Sequence, residues 1–337
     1  MAETTAKITI VGLDLIGTSI GLSLRENAGN YQVVGHDREP SQMNEAKQLG
    51  AIDSTTWNLH SACDGASLVI ATEPLSELPE FLQQIREDVA EGAVILGIGA
   101  VMQPALEIAS DNLPDGIHFV AGRPVYVDIS SQPEPRSELF KDCTFCIGAA
   151  THTESSALEL VSNLLARLGA KPLYIDPLEH DGIAAAVDQL PEILAAALFQ
   201  GAFEGPGWNE SQKLAGRRFA LSTSLDASAG ELAASLFANR DTILQRMDHL
   251  AVLLDTWRGH LTAEDAMPLE EALDGLVEGR AKWERDAKLR DWDRLTEPTS
   301  REDYGNSLGQ MFFGSLLRGR AGRRDPGRSE KDPRAKR

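Results

Sequence analysis

Cysteine is scarce: Cys63, Cys143 and Cys146 are the three in 337 residues. That is too few for a disulfide framework, and their spacing makes no metal-ligand array. Cys143 and Cys146 lie in the apolar run Cys143-Thr144-Phe145-Cys146-Ile147, which favours buried thiols over a redox centre. No uninterrupted apolar run approaches the ~18 residues that suggest a spanning helix. The opening stretch Met1-Ala2-Glu3-Thr4-Thr5-Ala6-Lys7 has no apolar signal-peptide core. A cytoplasmic location is therefore expected. Positive charge is in deficit, with 32 Lys+Arg against 51 Asp+Glu and a net charge of −19. So acidic a body argues against nucleic acid or an anionic membrane as the main partner. His36, His60, His118, His152, His249 and His260 show no ligand spacing, so no metal is expected. No internal repeat is visible.

What is there suits a soluble globular protein of one large or two ordinary domains: 42% hydrophobic and 25% charged residues. The first half alternates β-rich runs with helical stretches. Expected strands are Lys7–Leu13, Tyr31–Asp37, Ser67–Thr72, Ala93–Ile98, His118–Ala121, Thr144–Gly148 and Lys171–Ile175. Expected helices are Ile16–Ala28, Ser41–Leu49, Ser76–Val89 and Glu154–Leu168. Nearly all-apolar strands alternating with helices argue for an α/β fold with a parallel sheet covered on both faces. After Asp176-Pro177 the β signal stops, and Leu178 to about Trp292 reads as helical. The expected domains are 1–176 (α/β) and 177–293 (helical), followed by a linker at 294–303. Residues 304–320 form a short amphipathic, Gly-spaced segment, and 321–337 a disordered basic tail. From Gly314 to Arg337 there are nine Lys/Arg against three Asp/Glu, net +6, so the remainder carries −25. The 304–320 segment is suited to docking on a partner groove or on this protein's own acidic surface; a membrane role ranks below both.

The run Ile8–Leu13 leads into Gly12-Leu13-Asp14-Leu15-Ile16-Gly17 and then a helix. This is the strand–turn–helix context of the dinucleotide fingerprint, which marks a Rossmann-type, doubly wound sheet. Gly12 and Gly17 hold its first and third positions. The second, where the backbone approaches the pyrophosphate, is Asp14. A side chain there crowds the phosphates, and a carboxylate repels them. Two readings stay open: a Rossmann domain that lost its ligand, or one that binds it weakly. Asp37 follows Gly17 by 20 residues, where an acid accepts from the adenosine ribose and favours NAD. Arg38 beside it could instead meet the 2′-phosphate of NADP.

Across roughly residues 6–290 the chain resembles the prephenate/arogenate dehydrogenases of tyrosine biosynthesis. The resemblance rests on Ile8-Thr9-Ile10-Val11-Gly12-Leu13-Asp14-Leu15-Ile16-Gly17-Thr18-Ser19, Val34-Gly35-His36-Asp37-Arg38 and Leu68-Val69-Ile70-Ala71-Thr72-Glu73-Pro74-Leu75. It continues through Leu113–Pro124, Glu179-His180-Asp181 and Gln189-Leu190-Pro191-Glu192-Ile193-Leu194-Ala195. It implies a Rossmann domain followed by an all-helical dimerisation domain, a homodimer, and NAD(P)-dependent oxidative decarboxylation of prephenate or arogenate. Gly12, Leu15, Ile16, Gly17, Asp37, Arg38 and Thr72 would touch the cofactor. Arg123 and Arg218 would touch substrate.

The chain departs from the family at its chemical positions. Where the family has Asp-Val-(Gly/Ala)-Ser-Val-Lys, this chain has Gly97-Ile98-Gly99-Ala100-Val101-Met102, so Ala100 and Met102 replace Ser and Lys. Gly-Gly-His-Pro becomes Ala121-Gly122-Arg123-Pro124, and Ser-His-Leu-Pro-His becomes Asp188-Gln189-Leu190-Pro191-Glu192. A family Thr is Glu73. Arginine is no base at neutral pH, with a pKa above about 12, and glutamine does not titrate. Arg123 is expected to pair with Asp188 or Glu192, and His180 to be structural. Asn239 and Arg240 are expected to serve helix packing or the dimer surface. The expectation is a family member with impaired or lost activity and with cofactor binding weakened by Asp14. The alternative is a non-catalytic Rossmann dimer that acts as a binding or regulatory partner.

Overall fold

In the first strand, Ile8 and Ile10 alternate with Thr9 and Val11, and all four are buried. A side-chain period of two sends successive residues to opposite faces, so a strand apolar on both faces belongs inside a covered sheet. The computed structural model describes residues 6–26, 29–126, 134–225 and 227–289 and bears this out. The strands are β1 (Ala6–Val11), β2 (Tyr31–His36), β3 (Ser54–Thr55), β4 (Leu68–Ala71), β5 (Val94–Ile98), β6 (His118–Val125), β7 (Thr144–Ala149) and β8 (Lys171–Tyr174). They form one sheet in the order β3-β2-β1-β4-β5-β6-β7-β8.

Helices α1 (Leu15–Glu26), α2 (Pro40–Gln48), α3 (Leu59–Cys63), α4 (Leu78–Ile85), α5 (Gln103–Asn112) and α6 (Ser155–Arg167) connect the strands. Ile8, Ile10, Leu68, Ile70, Val94 and Leu96 pack with Ile20 and Leu24 of α1, Met43 of α2 and Val161 and Leu165 of α6. Their strand neighbours Val11, Val69, Ala71 and Ile95 pack on the other face, with Phe81 and Ile85 of α4 and Leu106 of α5.

The sheet is parallel, as expected, at every pairing but one. β7 pairs antiparallel to β6, with Arg123 opposite Cys146, and β8 follows β7 in parallel. A parallel return needs a crossover of a dozen or more residues, usually helical. The described residues of the β6–β7 connection hold turns and no helix. Strand β6 also runs to Val125 rather than Ala121, which places Arg123 on the sheet itself.

Past β8 the chain is helical: α7 (Pro177–Ala184), a π-helical turn (Ala185–Gln189), α8 (Leu190–Phe203), α9 (Trp208–Leu214), α10 (Arg217–Ser222), α11 (Ala229–Ala238), α12 (Arg240–Thr262) and α13 (Met267–Leu289). Asp176 starts this region as a helix N-cap, accepting from the Leu178 and Glu179 N–H groups at 3.0 and 3.1 Å. The chain divides into two units, 1–277 and 278–337. The described part of the second is the end of α13, where Glu284 pairs with Arg280 and Lys288. Residues 294–303, 304–320 and 321–337, read above as linker, amphipathic segment and basic tail, lie outside the described residues.

The run Pro177–Phe203 is long and apolar enough to cross a membrane by length and composition, although no unbroken apolar run announces it. In the single chain it is mostly uncovered, with Ile183, Val187, Leu194 and Leu198 exposed at spacings of four, seven and four. One end of this helix is nevertheless anchored. The Asp181 carboxylate is buried and accepts from the Met102 and Gln103 N–H groups at 2.8 and 2.9 Å, at the N-terminus of α5. His180 Nδ1 lies 2.8 Å from the same carboxylate. Asn239 Nδ2 donates to the Asp181 carbonyl at 2.8 Å.

Asp181 thus satisfies two N–H groups that a helix start leaves open. Removing it leaves those donors buried without an acceptor. Asp181→Ala is expected to lower stability by about 3 kcal/mol, and Asp181→Asn by less, because the amide keeps one acceptor. Chemical denaturation followed by circular dichroism measures this. A loss for Asp181→Ala below ~1 kcal/mol would show that apolar packing alone holds the helix to α5.

Candidate active site

The strand order reverses direction between β1 and β4, and in such sheets the ligand crevice lies beyond the carboxyl ends at that point. Here those ends are the loop at Gly12 and the loop at Thr72. Gly12 has φ +90°, and a Cβ on it would stand 2.0 Å from Thr72 Oγ1. A Cβ on Gly17 would stand 1.9 Å from the Gly12 carbonyl oxygen. Both positions require glycine: the first for its left-handed turn, the second for close packing of helix on strand. Gly12 N–H donates to His36 O at 3.0 Å, Thr72 N–H to Val11 O at 3.0 Å, and Thr18 Oγ1 to Leu13 O at 2.9 Å. The loop keeps the shape of a dinucleotide cradle.

Its donors are another matter. The Asp14 carboxylate accepts from the Ile16 and Gly17 N–H groups, each at 2.9 Å. These donors, at the positive end of α1, are the ones a helix start offers to a phosphate. Asp14 uses them as an N-cap. Its carboxyl is held above the ordinary carboxylate pKa, chiefly by withdrawal from water; the two N–H donors act the other way, and Asp37 and Glu231 add to the rise.

At the outer end of β2, Asp37 accepts from Leu13 N–H at 2.7 Å and Glu39 N–H at 2.8 Å. Its carboxylate is fixed at the lip of the loop. Arg38 is paired with Glu77 and, at 3.3 Å, with Glu73. Glu73 is held above the ordinary carboxylate range by burial, opposed by Arg38 and reinforced by Glu77 and Asp37.

The cleft continues from Ile16 and Thr72 past Glu73, Pro74 and Leu75 to Gly97–Val101 at the end of β5. Phe119, Arg123, Pro124 and Tyr126 of the β6 region form one wall. Glu192, Glu231, Leu232 and Ser235 come from the helical region. The open cleft has a volume of about 350 Å³, the size of a small-molecule site. Arg123 Nη2 lies 2.8 Å from Asp188 Oδ2, which fits the expected ion pair. The Cys146 thiol on the neighbouring strand is pushed up by burial, against the pull of Arg123. Cys143 is buried as well.

Apart from Ala100, the remaining positions do not converge on this cleft. Gln189 is buried: its Nε2 donates to Ser235 O and Oγ at 3.1 Å each, and its Oε1 accepts from Asn239 at 2.7 Å. Met102 is buried, and its Sδ is 2.8 Å from where a Gly148 Cβ would stand. Leu15 packs on the core beneath the sheet. Ala100 lines the cleft. Arg218 lines a different cavity, with Leu198, Leu214, Arg217 and Phe219. His180 is structural, held to Asp181. Asp188 and Gln189 share the π turn, a feature frequent at functional sites.

Sequence reasoning missed Glu77 and Ser235, and it assigned Asn239 to packing without its partners Asp181 and Gln189. Asn239 is 9% exposed between α11 and α12 and ties Asp181 to Gln189. No local motif marks it.

Comparison with known proteins places this arrangement. The nucleotide-binding domain of prephenate dehydrogenase matches residues 20–174, and the dimerization domain of prephenate dehydrogenase matches residues 176–275. The chain is 27% identical over 263 residues to the prephenate dehydrogenase of Bacillus subtilis (strain 168), covering 77% of this chain and 71% of that protein. It is 29% identical over 265 residues to the probable prephenate dehydrogenase NovF of Streptomyces niveus, covering 74% and 68%. Among solved structures, the prephenate dehydrogenase of Aquifex aeolicus in complex with hydroxyphenyl propionate and NAD⁺ matches with a TM-score of 0.73 at 20% identity, over 84% of this chain and 99% of that one. The Synechocystis arogenate dehydrogenase matches with a TM-score of 0.63 at 20% identity, over 82% and 99%. At that identity the structural likeness speaks for the fold, while the two adjoining domain matches span residues 20–275. The chain belongs to the prephenate dehydrogenase family.

Proposed function

We propose that this protein is a homodimeric prephenate dehydrogenase-family member that holds a nicotinamide dinucleotide weakly and whose dehydrogenase activity is impaired or lost. The observation that carries the reading is the occupation of the site by the chain's own side chains. Asp14 accepts from the phosphate-loop donors, and Asp188 pairs with Arg123.

The cradle itself fits a dinucleotide: Gly12 and Gly17 leave no room for a Cβ, and Asp37 stands at the lip as an acceptor. When bound, the nicotinamide supplies a hydride acceptor. Gly12, Ile16, Gly17, Asp37 and Thr72 would hold the cofactor. Leu15 supports the loop from the core, and Arg38 lies at the adenosine end. What is missing is a proton acceptor at the family's catalytic positions. Oxidation of a ring hydroxyl needs a group that takes its proton, and losing one such group removes about 10²–10⁴ in rate. Arg123 cannot take a proton, and Gln189 faces Ser235 and Asn239. Carboxylates at Glu73, Glu192 and Glu231 line a cleft where a dicarboxylate would have to sit. Arg123, with Ala100 across from it, remains the cleft residue suited to a substrate carboxylate; Arg218 would need a different route.

The dimer follows from the stripe of Ile183, Val187, Leu194 and Leu198, uncovered in one chain and lying within the matched dimerization domain. A second copy of the same stripe covers it by two-fold symmetry.

Three outcomes are expected. Asp14→Gly frees two N–H donors and removes a carboxylate, so NAD⁺ affinity by calorimetry rises at least about tenfold; no change would clear Asp14 of obstruction. Neither the natural protein nor Asp14→Gly forms NADH from prephenate or arogenate by absorbance at 340 nm; steady turnover by either would sink the loss of activity. The full-length chain runs at twice its chain mass in light scattering, and Val187→Asp with Leu198→Asp brings it to one; a double variant that stays dimeric would place the interface elsewhere.

A further inference from the structure

The end of the cleft beyond β2 carries an arrangement that family membership does not require. Whether a dinucleotide carries a 2′-phosphate on its adenosine ribose is decided where β2 ends. A free hydroxyl there wants an acceptor. A phosphate wants a cation and tolerates no nearby carboxylate. Asp37 supplies the acceptor, clamped by Leu13 N–H at 2.7 Å and Glu39 N–H at 2.8 Å. The adjacent cation is Arg38, but its guanidinium bridges Glu77 at the start of α4 and Glu73 in the β4 loop.

The two acids differ. Glu77 is 40% exposed and its pairing is a surface one, worth little in isolation. Glu73 is 10% exposed, so its carboxylate is far less hydrated than that of Glu77 when the guanidinium leaves. A phosphate that recruited Arg38 would have to draw it from a carboxylate left behind in a poorly hydrated place. It would also enter a field to which Asp37, Glu39, Glu73 and Glu77 all contribute negative charge beside Arg38.

We propose that Glu73 and Glu77 are specificity-determining residues: by sequestering Arg38 they make the cleft select a dinucleotide with a free ribose 2′-hydroxyl and reject its 2′-phosphorylated counterpart. The inference rests on the reading that the cleft still holds a dinucleotide. It concerns which one, and a binding readout separates the two.

The test is calorimetric titration of NAD⁺ and NADP⁺ into the full-length chain carrying Asp14→Gly, where binding is strongest. NAD⁺ is expected to bind at least about tenfold more tightly than NADP⁺. Adding Glu73→Gln and Glu77→Gln together frees Arg38, and the gap is expected to shrink to about threefold or less through a gain in NADP⁺ affinity. Adding Arg38→Ala on top is expected to cancel that gain, which a general loss of negative charge would not do. Circular dichroism of each variant controls for folding. Equal or tighter NADP⁺ binding by the parent overturns the proposal. So does an unchanged ratio in a folded Gln variant, or a gain that survives Arg38→Ala. If neither nucleotide binds the Asp14→Gly protein, the dinucleotide reading fails and takes this proposal with it, an outcome recognisable because no ratio exists to be read.

Discussion

The buried Asp181 carboxylate is the contact on which the two halves of the first unit depend. It accepts two N–H groups at the start of α5 while belonging to the helix that opens the helical region. The loop it steadies, Gly97 to Val101, lines the cleft. One anion therefore fixes the end of β5, the axis of the helix from Pro177 onward, and through its backbone carbonyl the side chain of Asn239. Asn239 in turn holds Gln189, which holds Ser235. The cleft wall contributed by α11 is positioned by this chain of hydrogen bonds rather than by apolar burial. The helical region buries little of its own: α9, α10, α11 and α13 have no fully buried residue in the single chain. A region so poor in core depends on polar anchoring to the sheet.

The architecture was legible in the sequence because it depends on periodicity and on glycine sterics. Strands apolar at every position declare a sheet covered on both faces, and the described core divides residue by residue as that pattern requires. Gly12 and Gly17 declare the turn because a Cβ at either would collide with Thr72 or with the loop's own carbonyl. The antiparallel seat of β7 was not legible. Strand direction is set by the connection, and the residues after β6 carry no periodicity that distinguishes a return from a crossover. The membrane-length apolar helix was hidden for a related reason: Asp181, Asp188 and Glu192 interrupt the run in sequence but fall at separated points along the helix.

The site was legible by subtraction. Composition alone could not tell whether Asp14 fills the phosphate subsite or folds away, because an Asp in that place is equally a repulsive charge and a good N-cap. Geometry shows the cap. Arg123 with Asp188 was foreseen from charge. Gln189 with Asn239 and Ser235 was not, since those partners stand 50 and 46 residues away and carry no motif. The Glu73–Arg38–Glu77 bridge was likewise invisible: Arg38 reads as a phosphate ligand until the fold brings two acids to it.

These substitutions form a set. Enzyme sites commonly hold polar groups that go unsatisfied until substrate arrives. Here, among the described residues, no buried side-chain polar atom lacks a hydrogen-bond partner. Asp14 takes the loop donors, Asp188 takes Arg123, Ser235 and Asn239 take Gln189, and Glu73 and Glu77 take Arg38. A ligand contact to any of these groups must first displace an internal one. Each exchange is near neutral in hydrogen-bond count and unfavourable wherever it leaves a carboxylate in a poorly hydrated place. Restoring the loop glycine frees the Ile16 and Gly17 N–H groups and leaves Arg123 and Gln189 in their present pairings, so cofactor binding and proton transfer rest on different residues and answer to different substitutions.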